Sequence, residues 1–284
     1  MDYRAKFRVA PDARVKLADV DAGVTEKHAD HASASPVIQH CCERLRELQE
    51  RLYAENARSL LIVLQAMDAG GKDGTIDHVL GAMNPQGAYV HAFKVPSAEE
   101  AAHDFLWRAH RAAPARGRVA IFNRSHYEDV LVTRVHDLVP KDVWSKRYAR
   151  INQFEKNLVQ NGTHILKFFL HISPDEQLRR FKSRLDDPCK QWKISESDYT
   201  ERAYWDAYTK AYEDVLERTS TRRAPWFIIP ANHNWFRNLA VSQIVVETLE
   251  DLNMRYPDPA VDLAEIARKY HAATQEHAVG GASG

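Results

Sequence analysis

A glycine-rich segment that carries one lysine and two aspartates is the part of this sequence best suited to bind phosphate. It follows a continuous apolar run at 60–64, typical of a strand buried on both faces of a parallel sheet, and it leads into a helical pattern. Glycines let backbone N–H groups approach phosphate oxygens, while the lysine and the helix start supply countercharge. The segment therefore predicts a phosphate-binding loop. Its candidate residues are Ala69, Gly70, Gly71, Lys72, Asp73, Gly74 and Thr75.

The loop departs in two places from the common motif G-x-x-x-x-G-K-[ST]. Ala66 stands where the first glycine would be, and Asp73 replaces the hydroxyl residue that usually ligates magnesium. Asp68, four residues before Lys72, is the candidate metal ligand instead. The alternative interpretation is a tight strand-to-helix turn with a surface lysine. The coincidence of a strand, glycines, a lysine and an acid favours the phosphate site.

Further candidate residues follow the next two predicted strands. Ligands of open parallel sheets gather at the carboxyl ends of the strands, and Lys94 and Asn123-Arg124 stand at two such ends. Arg124 is suited to neutralise charge on a transferring phosphoryl group, and a simple salt bridge is its alternative role. An aspartate would usually hold magnesium at the position of Asn123, which can only offer its amide oxygen or orient a water.

A basic stretch from Arg179 to Lys193 is the remaining candidate. Arg180 and Arg184 lie four residues apart and would share one face of a helix. The stretch precedes a proline break and a second helix, an arrangement typical of a mobile lid over a phosphate site, although plain solvated surface is an equal alternative. Its basic residues are Arg179, Arg180, Lys182, Arg184, Lys190 and Lys193.

Other conspicuous side chains are expected to be structural. Trp192, Trp205, Tyr208 and Tyr212 are expected in the core rather than as platforms for a nucleobase. His126 could act as an acid or base, but transfer between phosphates needs little proton transfer. We therefore expect a structural role for it.

The elements that must position these residues alternate between strands and helices. Two of the helices carry clear start signals, the capping box Ser97-x-x-Glu100 and the run Ser173-Pro174-Asp175-Glu176. The alternation implies an α/β fold with a parallel sheet covered on both faces. Strands are predicted at 60–64, 88–95, 118–123, 163–172 and 225–230, and the main helices at 37–55, 76–83, 97–111, 141–160, 173–186, 195–218, 235–254 and 261–274.

One main domain is expected between two smaller segments. Residues 1–35 are predicted to form an irregular, charged N-terminal arm. The domain spans 36–256 and includes the lid at about 174–219. Residues 257–284 form a C-terminal helix and a tail, whose final GGASG is expected to be disordered.

Composition excludes several classes of protein. The 284 residues are 44% hydrophobic and 27% charged, as in ordinary soluble globular proteins, and the formal net charge is zero. No global field therefore attracts nucleic acid or an anionic membrane, and no apolar run approaches the roughly 20 residues of a spanning helix. The three cysteines, Cys41, Cys42 and Cys189, are odd in number and predict no disulfide framework. Without a signal-peptide pattern, a reducing cytoplasm is the expected location.

Five segments, in this order, resemble the polyphosphate kinase family 2: AMDAGGKDGTI, FKVPSAEE, IFNRSHYEDVL, RRFKSRLDDPCKQWKIS and APWFIIPANHNWFRN. The similarity runs from about residue 37 to 252. The resemblance implies a three-layer α/β/α fold of P-loop kinase type with a helical lid. It also implies Mg²⁺-dependent phosphoryl transfer, with Mn²⁺ as a substitute, between inorganic polyphosphate and nucleotides, and commonly a tetramer.

The resemblance also implies roles for individual residues. Asp68 and Lys72 match the metal ligand and the phosphate lysine, Arg124 matches the arginine after the third strand, and Arg180 and Arg184 belong to the lid. Many members have aspartate where this chain has Asn123. The form NRSHYEDV resembles the subgroup that accepts both AMP and ADP, and guanine nucleotides are a further acceptor class.

The expected reaction is transfer of a phosphoryl group from polyphosphate to AMP or ADP. It requires no general base, because an ionised terminal phosphate is already a nucleophile. One alternative is an ATP-dependent kinase of a small metabolite or nucleotide with the same fold. Another is a module that binds polyanions or nucleic acid through the stretch 179–193, but the chain lacks the aromatic motifs and basic charge of such modules.

Overall fold

A five-stranded parallel sheet organises the fold of the computed structural model, which describes residues 2–280 without the side chains of Leu80 and residues 275–280. The strands lie in the order β2-β3-β1-β4-β5, so that β1 is central. Because all are parallel, their carboxyl ends meet at one edge of the sheet. The strands are β1 (Ser59–Ala66), β2 (Ala88–Ala92), β3 (Val119–Asn123), β4 (Thr163–His171) and β5 (Trp226–Pro230).

Twelve α-helices within the described residues accompany the sheet. They are α1 (Tyr3–Phe7), α2 (His31–Glu55), α3 (Lys72–Thr75), α4 (Ala98–Ala101), α5 (Trp107–Ala112), α6 (Val132–Val135), α7 (Lys141–Gln160), α8 (Pro174–Asp186), α9 (Glu196–Arg202), α10 (Trp205–Thr219), α11 (Asn234–Asp251) and α12 (Leu263–Gly280). Both predicted start signals are present: Ser97 and Glu100 form a capping box before α4, and Ser173 caps α8.

Alternate residues of β1 face two different layers of helices. Leu60, Ile62 and Leu64 belong to a buried cluster with side chains of α2 and α11. Leu61 and Val63 belong to a second cluster with side chains of α5, α7 and α10. The all-apolar run of β1 follows from burial on both faces. The structure therefore confirms the predicted three-layer α/β/α fold.

The first 35 residues are not irregular throughout. Tyr3, on α1, is buried, and α2 begins at His31 rather than at Val37, with Asp30 and Ser33 forming a capping box. The predicted start rested on apolar periodicity from Val37, and Pro36 before it lies inside the helix near its beginning. Val9 N–H donates to Trp226 O at 2.9 Å, so that the segment after α1 covers the exposed edge of β5.

Three predicted helices are interrupted. The segment 97–111 splits into α4 and α5, where Asp104 Oδ1 accepts from Leu106 N–H at 2.9 Å and turns the chain. The segment 195–218 splits into α9 and α10. The helix expected after the loop consists of the short α3 and a π-helical turn at Ile76–Leu80. Strand β2 ends at Ala92, so that Lys94 follows the strand instead of lying in it.

The chain divides into two compact units, Met1–Met254 and Arg255–Gly284. The first contains the sheet and its covering helices, and the second contains α12. Of the tail GGASG that was expected to be disordered, Gly280 is the last residue of α12, and 281–284 lie outside the described residues. Over the described part of the chain, no helix combines the length and apolarity that crossing a membrane would need.

Candidate active site

The glycine-rich loop leaves the carboxyl end of β1, the central strand. Gly70 N–H donates to Met67 O at 3.0 Å, and the backbone turns through left-handed conformations at Ala69, with φ of 57°, and Gly71, with φ of 98°. A Cβ atom at Gly71 would lie 1.9 Å from Arg237 Nη1, so that any other residue would have to displace this guanidinium. The close packing under the loop and the positive φ give a physical reason for glycine there.

Lys72 is the first residue of α3 and lies largely inside the loop. Its Nζ donates to Ala66 O at 3.2 Å. Burial lowers the pKa of Lys72, and the charge of Arg124 lowers it further. No carboxylate with a described side chain forms an ion pair with this ammonium group. A bound phosphate would supply the missing counterion.

The loop is joined to the end of β3 by two polar contacts. The strands β1 and β3 are adjacent, with Leu64 beside Asn123. Asn123 Nδ2 donates to Asp73 Oδ1 at 2.8 Å, and Arg124 Nη2 lies 3.0 Å from Asp68 Oδ1. The structure thus brings together the residues that the sequence predicted at the ends of the first and third strands.

The oxygen atoms near the loop fit a metal that is shared with substrate. Asp68 uses one carboxylate oxygen for Arg124, and its backbone carbonyl accepts from Gln177 Nε2 at 3.0 Å. The second carboxylate oxygen of Asp68 takes no part in these two contacts. The contact of Asn123 with Asp73 uses its Nδ2, and not its amide oxygen. Mg²⁺ is usually held by one or two carboxylates together with phosphate oxygens and water. Among the described residues, no group of three His, Cys, Asp or Glu side chains is arranged to hold a metal.

Arg180, on α8, contacts the loop directly. Its Nη1 donates to Ala69 O at 2.8 Å, its Nε pairs with Glu176 Oε1 at 2.6 Å, and Nη2 donates to Ala231 O. Burial lowers the pKa of this guanidinium, against the opposing effect of Glu176. Arg184, one turn later, instead faces Asp198 of α9 at 3.4 Å. The two predicted lid arginines therefore have different partners.

Three of the predicted phosphate-binding lysines do not reach the loop through any contact seen here. The side chain of Lys94 is exposed, and its carbonyl accepts from Arg108 Nη1 at 2.8 Å. Lys190 Nζ pairs with Asp187 Oδ2 at 2.8 Å, and Lys193 Nζ lies 5.0 Å from the ring centre of Trp192. Their proposed roles would require a bound polyanion that spans from the loop to these residues.

Sequence reasoning missed Arg237 and Gln177. Arg237 is 2% exposed and lies against Gly71 and Gly74 from the side of α11. It is the single charged residue in the stretch 236–246 of a mostly apolar helix, and this was the available signal. Gln177 holds the backbone of Asp68, a contact that residue type and spacing do not reveal.

The remaining conspicuous side chains are mostly structural. Tyr212 is buried, as expected, and its hydroxyl donates to Ala66 O at 3.1 Å. Trp192, by contrast, is 78% exposed, so that its expected place in the core is wrong. His126 is fully buried beside Glu155, which is itself paired with Lys167 at 2.6 Å.

Comparisons with known proteins point to one family. The family model for polyphosphate kinase 2 matches residues 27–257. The chain is 52% identical to an AMP/ADP-polyphosphate phosphotransferase of Meiothermus ruber, over 89% of this chain and 96% of the relative. It is 46% identical to an ADP-polyphosphate phosphotransferase of Rhodopseudomonas palustris, over 89% and 92%. The crystal structure of polyphosphate kinase 2 from Arthrobacter aurescens TC1 has a TM-score of 0.92 at 44% identity, covering 95% of this chain and 97% of that one.

Proposed function

The chain belongs to the polyphosphate kinase 2 family, and on that premise we propose that it transfers phosphoryl groups between inorganic polyphosphate and the adenine nucleotides AMP and ADP. The observation that carries the proposal is the meeting of Lys72, Arg124 and Arg180 around one glycine-rich loop. Relatives that match over nine tenths of their length bear names for this reaction and support the assignment.

The reaction needs positioned positive charge more than it needs acid–base chemistry. The ionised terminal phosphate of AMP or ADP is the nucleophile, and the bond that breaks joins the terminal phosphorus of polyphosphate to its bridging oxygen. Lys72 and the loop N–H groups hold phosphate oxygens, which limits the reactants to productive arrangements. Arg124, which is 46% exposed, is free enough to follow the transferred group and stabilise its charge.

A divalent ion, Mg²⁺ with Mn²⁺ as a substitute, is the cofactor in this proposal. Asp68 would hold it together with phosphate oxygens, with the amide oxygen of Asn123 as a further ligand, and the ion would offset phosphate charge. Because Asn123 is neutral, this site contains one carboxylate fewer than a site that has aspartate at the position of Asn123.

A lid over about 174–219 completes the site in this proposal. Arg180 is anchored to the loop, whereas Arg184, Lys190 and Lys193 lie further along the same segment. Closure over a phosphate chain would bring these three cations to it and exclude water. A tetrameric assembly and the acceptance of guanine nucleotides are further parts of the proposal. A cytoplasmic location is also proposed, from the cysteine content and the lack of a signal-peptide pattern.

The proposal is tested by supplying each donor separately. Purified protein with Mg²⁺, AMP and polyphosphate should form ADP and then ATP, and ATP in place of polyphosphate should be a poor donor to AMP. High salt should inhibit the polyphosphate reaction steeply, because several charge contacts are screened together. A protein that uses ATP well and ignores polyphosphate at low salt would instead be an ATP-dependent kinase. Salt-dependent binding of polyphosphate without turnover would indicate a polyanion-binding module.

A further inference from the structure

Arg237 is a buried guanidinium without an acidic partner. It is 2% exposed, and its donors reach only two neutral acceptors: Nη1 lies 2.9 Å from Asn234 Oδ1, and Nη2 and Nε lie 2.9 and 3.2 Å from Asn238 Oδ1. Within the part of the chain that the structure describes, no carboxylate forms an ion pair with it. Its hydrogen bonds are therefore partly satisfied while its charge is not compensated.

The uncompensated charge lies directly beneath the phosphate-binding loop. A Cβ atom at Gly71 would be 1.9 Å from Arg237 Nη1 and 3.4 Å from Arg180 Nη1, so that two guanidinium groups flank this one residue. A Cβ atom at Gly74 would be 3.0 Å from Arg237 Nη2. The loop carries no side chain at either position that could separate Arg237 from a ligand on the loop.

The surroundings make this charge unfavourable in the ligand-free protein. Burial lowers the pKa of Arg237 to about 9, and the charge of Arg180 contributes to the decrease. The guanidinium is still charged at neutral pH. A buried ion without a partner destabilises the folded state, and an apolar side chain of similar size often does not. An ordinary structural arginine would have a carboxylate here, as Arg180 has in Glu176.

We propose that Arg237 is a positioning residue whose charge is compensated only when phosphates occupy the loop, so that it increases the affinity of the loop for a phosphate chain at the expense of ligand-free stability. This inference rests on the proposed function for the identity of the ligand. Asn234 and Asn238 fix the guanidinium under Gly71 and Gly74, and its field adds to those of Lys72 and Arg180.

The experiment measures thermal unfolding of the full chain with and without tripolyphosphate, in the absence of nucleotide and metal. Arg237→Met removes the charge and keeps an unbranched apolar side chain. It should leave the ligand-free Tm unchanged or higher, while the stabilisation by tripolyphosphate falls and the apparent Kd rises about tenfold or more. Asn238→Asp instead places a carboxylate beside Arg237. It should raise the ligand-free Tm and likewise weaken tripolyphosphate, even if Arg237→Met does not fold.

Arg58→Met is the matched control. Arg58 is paired with Glu55 at 3.0 Å near the start of β1, at the opposite end of that strand from the loop. Its loss should not raise the ligand-free Tm and should leave the tripolyphosphate shift intact.

A merely structural Arg237 predicts the reverse pattern. If Arg237→Met or Asn238→Asp lowers the ligand-free Tm and keeps the full tripolyphosphate shift, the inference is wrong and the proposed function stands. If wild-type protein itself is not stabilised by tripolyphosphate, the inference and the proposed function both fail.

Discussion

Arg124 Nη2 lies 3.0 Å from Asp68 Oδ1, although the two residues are 56 positions apart in the sequence. The contact crosses from β3 to the loop after β1. The backbone of Arg124 has a φ of 59°, a left-handed conformation that is uncommon for a residue with a side chain. In the proposed reaction Asp68 Oδ2 would be available to a metal ion while Oδ1 faces Arg124, and Arg124 would turn toward the phosphate that is transferred. Substrate and metal together would restore both charge balances.

The first prediction compares the two aspartates of the loop. Asp68→Asn should raise the Mg²⁺ concentration for half-maximal activity by about tenfold or more, because it removes the charged ligand. Asp73→Asn should have a much smaller effect, since Asp73 Oδ1 is already engaged by Asn123 Nδ2. Magnesium titrations of the initial rate would measure both. A larger effect at Asp73 would show that the metal ligand is wrongly assigned.

The second prediction concerns the loop lysine. Lys72→Ala should lower kcat/KM for polyphosphate and AMP by about two to three orders of magnitude or more, because a charge built up in the transition state loses its counterion. The Tm should not fall greatly, since burial already disfavours the ammonium and lowers its pKa. Lys156→Ala, at an exposed position of α7, is the control and should keep full activity. Normal turnover by folded Lys72→Ala protein would remove the phosphate-loop interpretation.

The third prediction separates the two arginines of α8. Arg180 donates to Ala69 O and Ala231 O while it pairs with Glu176, and a lysine cannot satisfy this planar set of partners. Arg180→Lys should therefore lower both Tm and activity. Arg184→Lys should lower activity with a smaller loss of Tm, because its partner Asp198 lies within 174–219 and Arg184 makes no bond to the loop like that of Arg180 to Ala69 O. Unchanged kinetics in both variants would show that neither arginine of α8 contributes to the reaction.

Much of the fold could be predicted from the sequence because the central strand, β1, has an apolar run that is buried on both faces of the sheet. The run 60–64 and the turn signals around it identified β1 and the loop, and parallel topology then placed Arg124 near Asp68. Local hydrogen bonds were harder to foresee. Asp104 Oδ1 accepts from Leu106 N–H in the turn between α4 and α5, where periodicity alone predicted one continuous helix.

Arg237 shows what the sequence could not reveal about the site. It lies on the last long helix of the sheet domain, far along the chain from Gly71, and only tertiary packing brings the two together. Trp192 shows the opposite error. Aromatic residues are usually buried, but this one lies in the 3₁₀ turn between α8 and α9 and remains largely exposed.

The fourth prediction concerns acid stability. Burial lowers the pKa of His126 from 6.5, against the opposing effect of Glu155, so the folded protein holds this imidazole neutral. The unfolded chain therefore binds its proton at higher pH than the folded chain does. The stability that neutral His126 contributes is complete above pH 6.5 and is lost as the pH falls from 6.5 toward the lowered folded pKa.

Replacing His126 with Phe should remove this proton linkage. The pH slope of the unfolding free energy below pH 6.5 should become shallower by up to about 1.4 kcal/mol per pH unit. Denaturant unfolding at several pH values would measure the slopes, and a uniform loss of stability in the variant would not affect the comparison. Parallel slopes for the two proteins would mean that another group controls the loss of stability at acidic pH.

The last prediction concerns the contact between Glu201 of the proposed lid and His136, which follows α6. Glu201, on α9, accepts from Tyr208 OH at 2.9 Å, and the same oxygen lies 2.9 Å from His136 Nε2, just after α6. Glu201→Gln keeps the shape but removes the charge that both partners share. The open lid should become more populated, by roughly fivefold for each kcal/mol of lost hydrogen bonding. Trypsin should then cleave faster after Lys190 and Lys193, since proteolysis follows the population of the open form. Tripolyphosphate should slow cleavage in both proteins if the lid closes over a phosphate chain.

Glu196→Gln, at an exposed position of the same helix, is the control and should be cleaved at the wild-type rate. Equal cleavage of Glu201→Gln and wild type, with no protection by tripolyphosphate, would mean that residues 174–219 do not act as a lid.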